Sequence, residues 1–318
     1  MKRVDSLRAL AGATACLLLL ALPAACSQDG AAPAAQDAEQ PADSRAATPP
    51  GTNKKEDSKV ADHAYERKGE TPPAPDAVLY FIYDKDGDGA TSYEIENGSV
   101  ATYWYGHQFD LRGKHYFAGF AYSTPEKFGE AKDGSDPAPG SKVTLANATF
   151  VLSKPGAEKP WSVVGAEPYI GEFGAYEKGD EVDPRRTAVS YVTEDGQYLL
   201  AVPTTSLQSG SELTGYAVLR FQPGELEDID DHHWRYLGTI WTGEDNSAAC
   251  DGGEVMPCAA SSGTLEFEPG AKALPDIVVS PRGTTIASPG RTRTLGPEDR
   301  STYTYDPARK EYAARSGN

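Results

Sequence analysis

From residue 78 to the end of the chain, short runs of β-branched and aromatic residues are separated by Gly, Pro, Asn and Asp. No stretch of eleven or more residues in this part keeps the 3.6-residue apolar period of an amphipathic helix. Short runs bounded by turn-forming residues are typical of β-strands. The predicted strands are 78–83, 102–105, 115–122, 143–152, 198–202, 215–221, 234–241, 264–267, 277–280 and 302–305. The sequence therefore predicts an all-β fold.

Two segments of the chain, about 148–203 and 216–269, show a faint repeat. In the first, the run 150–156 is followed by Trp161, and in the second, the run 218–224 is followed by Trp234. Each unit would be a meander with one apolar face that a neighbour must cover. This predicts a β-sandwich or a small propeller-like body, although ordinary strand–turn–strand patterns also produce such similarities. We divide the folded part into an N-terminal β region, 77–140, and a β-rich body, 141–318.

The first 26 residues form a separate segment. Lys2, Arg3 and Arg8 precede an apolar run, 9–22. This run is shorter than the ~20 residues that a spanning helix needs, so it predicts an export signal. The motif that ends it, Leu22-Pro23-Ala24-Ala25-Cys26, resembles the lipobox of bacterial lipoproteins. The resemblance implies a signal peptide of residues 1–25 and acylation of Cys26. Cleavage by an ordinary signal peptidase, leaving a free thiol at Cys26, is the alternative.

Residues 26–76 carry few bulky apolar side chains, chiefly Val60 and Tyr65. Such a composition does not bury enough surface to offset chain entropy, and we expect a disordered linker. The formal charge of the chain is −17, and removal of the signal segment, which has three basic residues and one acidic residue, lowers it by two. An acidic surface repels phosphate backbones, which argues against nucleic-acid binding and favours a basic protein partner.

The segment Asp84-Lys85-Asp86-Gly87-Asp88-Gly89 has the D-x-D-x-D-G spacing of an EF-hand calcium loop. Carboxylates at alternate positions surround one hard cation, and Gly at the sixth position permits the sharp turn. The resemblance implies Ca²⁺ ligands from Asp84, Asp86, Asp88, the carbonyl of Ala90, and Ser92. The family has a bidentate Glu at the twelfth position, where this chain has Ile95, so that Glu94 or Glu96 would complete the shell.

The family also has a helix before this loop, whereas the sequence here predicts a strand at 78–83. We therefore expect a calcium loop on a β-scaffold, with a structural role for the ion. The alternative is a plain acidic hairpin turn, because Asp-Gly pairs are strong turn signals without any metal.

Two further segments have ordinary interpretations. Cys250 and Cys258 enclose a short loop, and in an exported protein they predict a disulfide. The charged segment 172–186 is interpreted as a solvated loop, with a partner surface as the alternative. The sequence contains no nucleophile elbow, zinc-protease helix motif or phosphate-binding glycine loop, so no catalytic residues are assigned.

Together these patterns predict a calcium-binding lipoprotein anchored in a bilayer through acylated Cys26. Ser27 after the cysteine resembles the outer-membrane sorting pattern of Gram-negative lipoproteins, with the protein facing the periplasm or the cell surface. We interpret the chain as a non-enzymatic binding protein for a basic envelope or periplasmic protein. The layout is similar to that of lipoprotein inhibitors and immunity proteins. The alternative is a hydrolase of envelope polymers in which calcium is a structural ion.

Overall fold

A computed structural model describes residues 70–125, 137–225, 231–270 and 273–315. The predicted signal peptide, Cys26 and the predicted linker up to residue 69 lie outside the described residues. The described part contains one α-helix, α1 (Pro75–Tyr83), and three antiparallel β-sheets. No helix among these residues is both long enough and apolar enough to span a bilayer.

The first sheet is a meander whose strands follow one another in sequence order. Its strands are β1 (Ser92–Glu94), β2 (Val100–Leu111), β3 (Lys114–Ser123), β4 (Val143–Leu152) and β5 (Trp161–Phe173). Because the strand order in the sheet is β1-β2-β3-β4-β5, β5 is an edge strand.

The second and third sheets are also built from sequential antiparallel strands. The second contains β6 (Glu181–Val182), β7 (Val189–Val192), β8 (Tyr198–Gln208), β9 (Ser211–Phe221) and β10 (Trp234–Asp245). Its order is β10-β9-β8-β6, and β7 also pairs with β8. The third contains β11 (Ser261–Glu268), β12 (Asp276–Ser288), β13 (Arg291–Thr294), β14 (Ser301–Asp306) and β15 (Glu311–Ala314). Its order is β11-β12-β14-β15, with β13 paired to β12.

The second sheet lies between the other two, because its opposite faces belong to different hydrophobic cores. Leu200 and Leu219 pack with Phe120 and other residues of the first sheet. Leu199 packs instead with Ile277 of the third sheet. The body is therefore an all-β sandwich of stacked sheets, which confirms the all-β prediction and its sandwich alternative.

Burial on both faces explains the apolar runs that mark the central strands. A strand with one wet face alternates apolar and polar residues, whereas a strand covered on both faces is apolar throughout. Residues 198–202 of β8 and 215–219 of β9 are all buried. The unbroken runs in the sequence thus correspond to the middle layer of the sandwich.

The strand predicted at 78–83 is wrong, because this segment is the last two turns of α1. Pro75 suits the first helical turn, where its missing N–H is not needed, and Asp76 is favourable at the positive end of the helix. Val78, Leu79 and Ile82 are buried on the outer face of the first sheet, at spacings that share one side of a helix. Burial of this face overrides the β-propensity of the run.

The first sheet accepts the helix because part of its outer face, beside Phe117 and Phe150, is made of small residues. Gly119 is the closest approach, since a Cβ atom there would lie 2.4 Å from a methyl carbon of Val78. Alanines surround this point, at Ala101, Ala121, Ala146 and Ala148. The helix therefore packs directly on the backbone of β3 and β4.

The described body begins before the predicted end of the linker at residue 76. The amide of Gly156 donates a hydrogen bond to Oε1 of Glu70, and Trp161 Nε1 donates to the carbonyl of Thr71 at 2.9 Å. These contacts fasten the chain before α1 to the β4–β5 hairpin.

The first unit of the faint repeat, 148–203, begins in β4 of the first sheet and ends in β8 of the second. The second unit, 216–269, begins in β9 of the second sheet and ends just after β11 of the third. Trp161 and Trp234 open β5 and β10, the returning strands of two hairpins. Their surroundings differ, because Trp234 is fully buried between the first and second sheets, while Trp161 packs with the cluster under α1. The similarity therefore follows hairpin construction rather than equivalent packing.

The predicted disulfide is confirmed. Cys250 and Cys258 are bonded, with their Cα atoms 5.2 Å apart. The bond closes the loop between β10 and β11, and Asn246 supports the same loop by donating to the carbonyl of Pro257 at 3.1 Å.

Candidate functional site

The D-x-D-x-D-G loop connects α1 to β1. Asp84 ends the helix in the left-handed conformation, and its amide donates to the carbonyl of Tyr80 at 2.8 Å. Gly89, the sixth residue of the loop, has φ of +78°. A left-handed glycine at this position is what the sharp turn of a calcium loop requires. The EF-hand family also has a helix before its calcium loop. Because α1 lies where the sequence predicted a strand, the loop resembles that of the family more than expected.

Tyr93 of β1 supports the loop from one side. Its hydroxyl donates to the carbonyl of Lys85 at 2.7 Å, and its ring covers Gly87, where a Cβ atom would lie 2.2 Å from a ring carbon. The Lys85 ammonium in turn donates to the carbonyl of Glu94. Burial raises the pKa of Tyr93, and the negative charge of Asp86 raises it further.

The acidic side chains of the loop do not converge on one point. Within the described ranges, no group of three or more His, Cys, Asp or Glu side chains is placed to hold a metal ion. Asp84, Asp86 and Asp88 are exposed, as are Glu94 and Glu96. Ser92 donates or accepts a hydrogen bond with Thr102 across the β1–β2 pair at 2.8 Å, and Ala90 is partly buried. The backbone and the oxygen donors fit Ca²⁺, whereas the carboxylates would have to turn inward to bind it.

A second candidate site, which we call the junction groove, lies where β5, β10 and the β14–β15 turn meet. It has a volume of about 660 Å³ and is open to solvent along its length. Its accessible aromatic side chains are Tyr169 of β5 and Tyr236 and Trp241 of β10, whereas Phe173, which also borders it, is buried in the core between the first two sheets. Binding sites commonly form where separate layers of a fold meet, with aromatic walls and a few polar groups.

Asp180 is the most buried acidic group of the junction groove. It is 4% exposed, and its carboxylate accepts a hydrogen bond from Thr239 Oγ1 at 3.5 Å. Burial raises its pKa to about 6, while hydrogen bonds from Ser206 and Thr239 limit the rise. No Lys or Arg of the described residues forms an ion pair with it. A carboxyl group that changes its charge near pH 6 is thus placed in the groove.

A β-bulge in β10 shapes the groove beside Asp180. The pairing of β9 with β10 shifts between Tyr236 and Thr239, and Gly238 in the bulge has φ of +109°. The Tyr236 hydroxyl and Thr239 Oγ1 are hydrogen-bonded at 2.7 Å, which links both side chains to Asp180. Bulges often redirect side chains next to binding and active sites.

Basic side chains surround the same groove. Lys142, Arg235 and Lys310 line it, and none of the three forms an ion pair with any described carboxylate. Arg309 also lines it and is paired with Glu311 at 2.5 Å. The groove is thus locally basic in a chain whose formal charge is −17.

Sequence reasoning did not find the junction groove. The segment 172–186, interpreted as a solvated charged loop, contains Asp180 and Asp183, which are both buried. The other groove residues come from four separate stretches of the chain. No linear spacing relates them, and the only available signal was the density of charge in 172–186.

No protein-family model matches this chain, and no curated protein or solved structure matches it either.

Proposed function

We propose that the protein is an exported, lipid-anchored and non-enzymatic binding protein of the bacterial cell envelope, with calcium as a structural ion. The first 26 residues carry the proposal, because a short basic and apolar segment ends in a lipobox-like motif at Cys26. Acyl chains on that cysteine contribute ~0.8 kcal/mol of membrane binding per buried methylene. The linker that follows holds the β-sandwich away from the bilayer.

The calcium part of the proposal rests on the loop between α1 and β1. Three points support it: alternate aspartates, the left-handed Gly89, and the helix that precedes the loop. Ca²⁺ takes six to eight oxygen ligands, and carboxylates, the Ala90 carbonyl and Ser92 can supply them. With Ile95 at the twelfth position, we expect weak binding, with a Kd of about 10⁻³–10⁻⁴ M as in extracellular modules.

Calcium should raise the thermal stability of the protein. At about 10 mM CaCl₂ and a Kd of ~10⁻³ M, binding to the folded state contributes about 1.4 kcal/mol, which corresponds to roughly 3–5 °C in Tm. Asp86→Asn should abolish most of this shift, because it removes a charged ligand. Thermal unfolding in calcium and in chelator, followed by circular dichroism, measures the effect.

Glu266→Gln is the matched control, since it removes one exposed carboxylate from β11, far along the chain from the loop. Its calcium shift should equal that of the unchanged protein. If the unchanged protein had the same Tm in calcium, magnesium and chelator, the calcium proposal would be wrong and the loop would be a plain acidic turn.

The partner part of the proposal rests on charge. A formal charge of −17 favours electrostatic association with a cationic protein.

In a Gram-negative host, the full-length chain should fractionate with membranes, and Cys26→Ser should release it into the soluble fraction. Both forms should co-purify with one basic protein in stoichiometric amount at low salt, and high salt should weaken the complex.

A hydrolase of envelope polymers is the second candidate, and Asp180 is the observation that favours it. A carboxyl group with a pKa of about 6 in a groove that Glu172 and Glu311 also line has the environment of a general acid. Release of wall fragments by the purified chain, abolished in Asp180→Asn and without a stoichiometric partner, would replace the binding function by this one.

A further inference from the structure

The junction groove is lined by four basic residues, Lys142, Arg235, Arg309 and Lys310, against three acidic ones, Glu172, Asp180 and Glu311, in a chain of formal charge −17. Lys142, Arg235 and Lys310 line it without an ion-pair partner among the described residues, although acidic residues are in large excess overall. Unpaired cations that converge on one groove raise its electrostatic potential, and a concave surface focuses that potential. The groove is therefore suited to an anion.

A like-charge pair beside the groove gives an independent reason. Arg235 of β10 and Arg220 of β9 are directly opposite each other in the strand register. Like charges at such positions repel each other. Burial and, to a smaller extent, the charge of Arg235 lower the pKa of Arg220, whereas Tyr305, Asp231 and Asp195 raise it. The Nε atom of Arg220 is buried without a hydrogen-bond partner in the described part of the chain. An anion bound at Arg235 would relieve this repulsion.

The walls of the groove add a preference for rings. Tyr169 is 49% exposed although it is a large aromatic residue, and Trp241 packs over Gly215, where a Cβ atom would lie 2.7 Å from its ring. Exposed aromatic faces can cover the apolar face of a sugar ring while their polar edges remain wet. Asp180 and Thr239 offer hydrogen-bonding groups to hydroxyls.

We infer that the junction groove binds an acidic saccharide, that is, a sugar chain that carries carboxylate or phosphate groups. Arg235, Lys142 and Lys310 hold the acidic groups, Tyr169 and Trp241 cover the ring, and Asp180 with Thr239 bonds a hydroxyl. This site is separate from the proposed calcium loop and from the proposed basic partner.

The charge state of Asp180 affects the affinity of such a site. An anionic ligand is repelled by the Asp180 carboxylate, so it binds better when this group is protonated. Binding should therefore strengthen as the pH falls through the pKa of about 6. His232 packs beside Tyr169. The other charged or titratable groups along the groove are Lys142, Tyr169, Glu172, Arg235, Tyr236, Arg309, Lys310, Glu311 and Tyr312.

Calorimetric titration of the full-length chain tests the inference, with tetragalacturonate as the acidic saccharide and cellotetraose as its neutral counterpart. Tetragalacturonate should bind at least about tenfold more tightly, because each charge-assisted contact is worth more than a neutral one. Arg235→Gln should weaken tetragalacturonate binding about tenfold. Arg291→Gln removes an exposed arginine from β13, outside the groove, and should leave the affinity unchanged.

A pH series separates Asp180 from the remaining groups. The unchanged protein should bind tetragalacturonate more tightly at pH 5 than at pH 7.5. Asp180→Asn should bind it equally at both pH values, which would exclude His232 as the cause of the pH dependence.

Binding of tetraglutamate as tight as that of tetragalacturonate would show a site for acidic peptides and overturn the saccharide assignment. Absence of tetragalacturonate binding, or equal effects of Arg235→Gln and Arg291→Gln, would overturn the site itself, without bearing on the anchor or the calcium loop.

Discussion

We expect Asp183→Ala to lower the free energy of unfolding by about 3–5 kcal/mol at pH 7, because it leaves a partly buried arginine without its counter-ion. Asp183 is 3% exposed, and Nε of Arg186 donates to its carboxylate at 2.9 Å. The same guanidinium donates to the carbonyls of Thr204 and Gly215, at 2.7 Å and 2.9 Å, and lies over the ring of Tyr216. Arg186 thus links the segment that follows β6 to β8 and β9, and Asp183 balances its charge. Urea unfolding monitored by tryptophan fluorescence measures the loss.

Arg185 provides the matched control. It also donates to Asp183 at 2.9 Å, but its side chain is 72% exposed. Exposed ion pairs contribute about 0–1 kcal/mol, so Arg185→Ala should cost far less than Asp183→Ala. If both variants lost the same unfolding free energy, the ion pair between Asp183 and Arg186 would not be the source of the stability.

The Asp183 ion pair also predicts a dependence on pH. Burial by itself would raise the pKa of Asp183, but hydrogen bonds from Arg185 and Arg186 hold it below its ordinary value of 3.8. A depressed pKa in the folded state stabilises the protein above the unfolded-state value, and this contribution is lost as the pH falls through the folded-state pKa. The difference in unfolding free energy between the unchanged protein and Asp183→Ala should therefore shrink below about pH 4. A difference that stays constant down to pH 3 would contradict this origin.

Trp234→Ala should be comparably destabilising, at about 3–5 kcal/mol, because it opens a cavity between the first and second sheets. The ring is fully buried, 4.9 Å from Phe120 and 5.2 Å from Phe221 between centroids. Its Nε1 donates to Thr149 Oγ1 at 3.0 Å, so the substitution also leaves a buried hydroxyl without its donor. Thermal and urea unfolding should show the loss.

Two variants separate packing from hydrogen bonding at this position. Trp234→Phe retains most of the buried ring and loses the donor to Thr149, so its loss should be smaller, roughly 1–3 kcal/mol. Trp161→Ala, at the corresponding position of the other hairpin, removes a partly exposed ring and should also cost less than Trp234→Ala. A Trp161→Ala effect as large as that of Trp234→Ala would mean that the two hairpins are equivalent in packing.

The strands were the most predictable part of the molecule. The predicted strand 143–152 coincides with β4 (Val143–Leu152), and the eight other predicted strands, apart from 78–83, lie inside observed ones. The edge strands β1, β5, β6, β7, β13 and β15 were not predicted. Apart from β5 they are two to four residues long, and they depend on a neighbouring strand for their hydrogen bonds. In β5, which is long, Gly165, Pro168 and Gly171 interrupt the apolar pattern.

The segment 78–83 shows the limit of local propensity. Val78, Tyr80, Phe81 and Ile82 favour a strand by residue type, but the chain is helical because Gly119 and its neighbouring alanines leave a flat surface for one helical face. Nothing near residue 78 in the sequence reveals that surface. The helix, in turn, changes the surroundings expected for the D-x-D-x-D-G loop: the loop does not join two strands but follows a helix, which Asp84 ends in the left-handed conformation.

Residue patterns along the chain were enough to predict most of the long strands, the disulfide pair and the spacing of the loop aspartates, because these depend on residues that are neighbours in the chain. The middle position of the second sheet, the burial of Asp180 and Asp183, and the convergence of Lys142, Arg235 and Lys310 on one groove arise from tertiary packing. Burial and electrostatic potential depend on groups brought together from distant stretches, and side-chain alternation along a strand does not specify what covers each face.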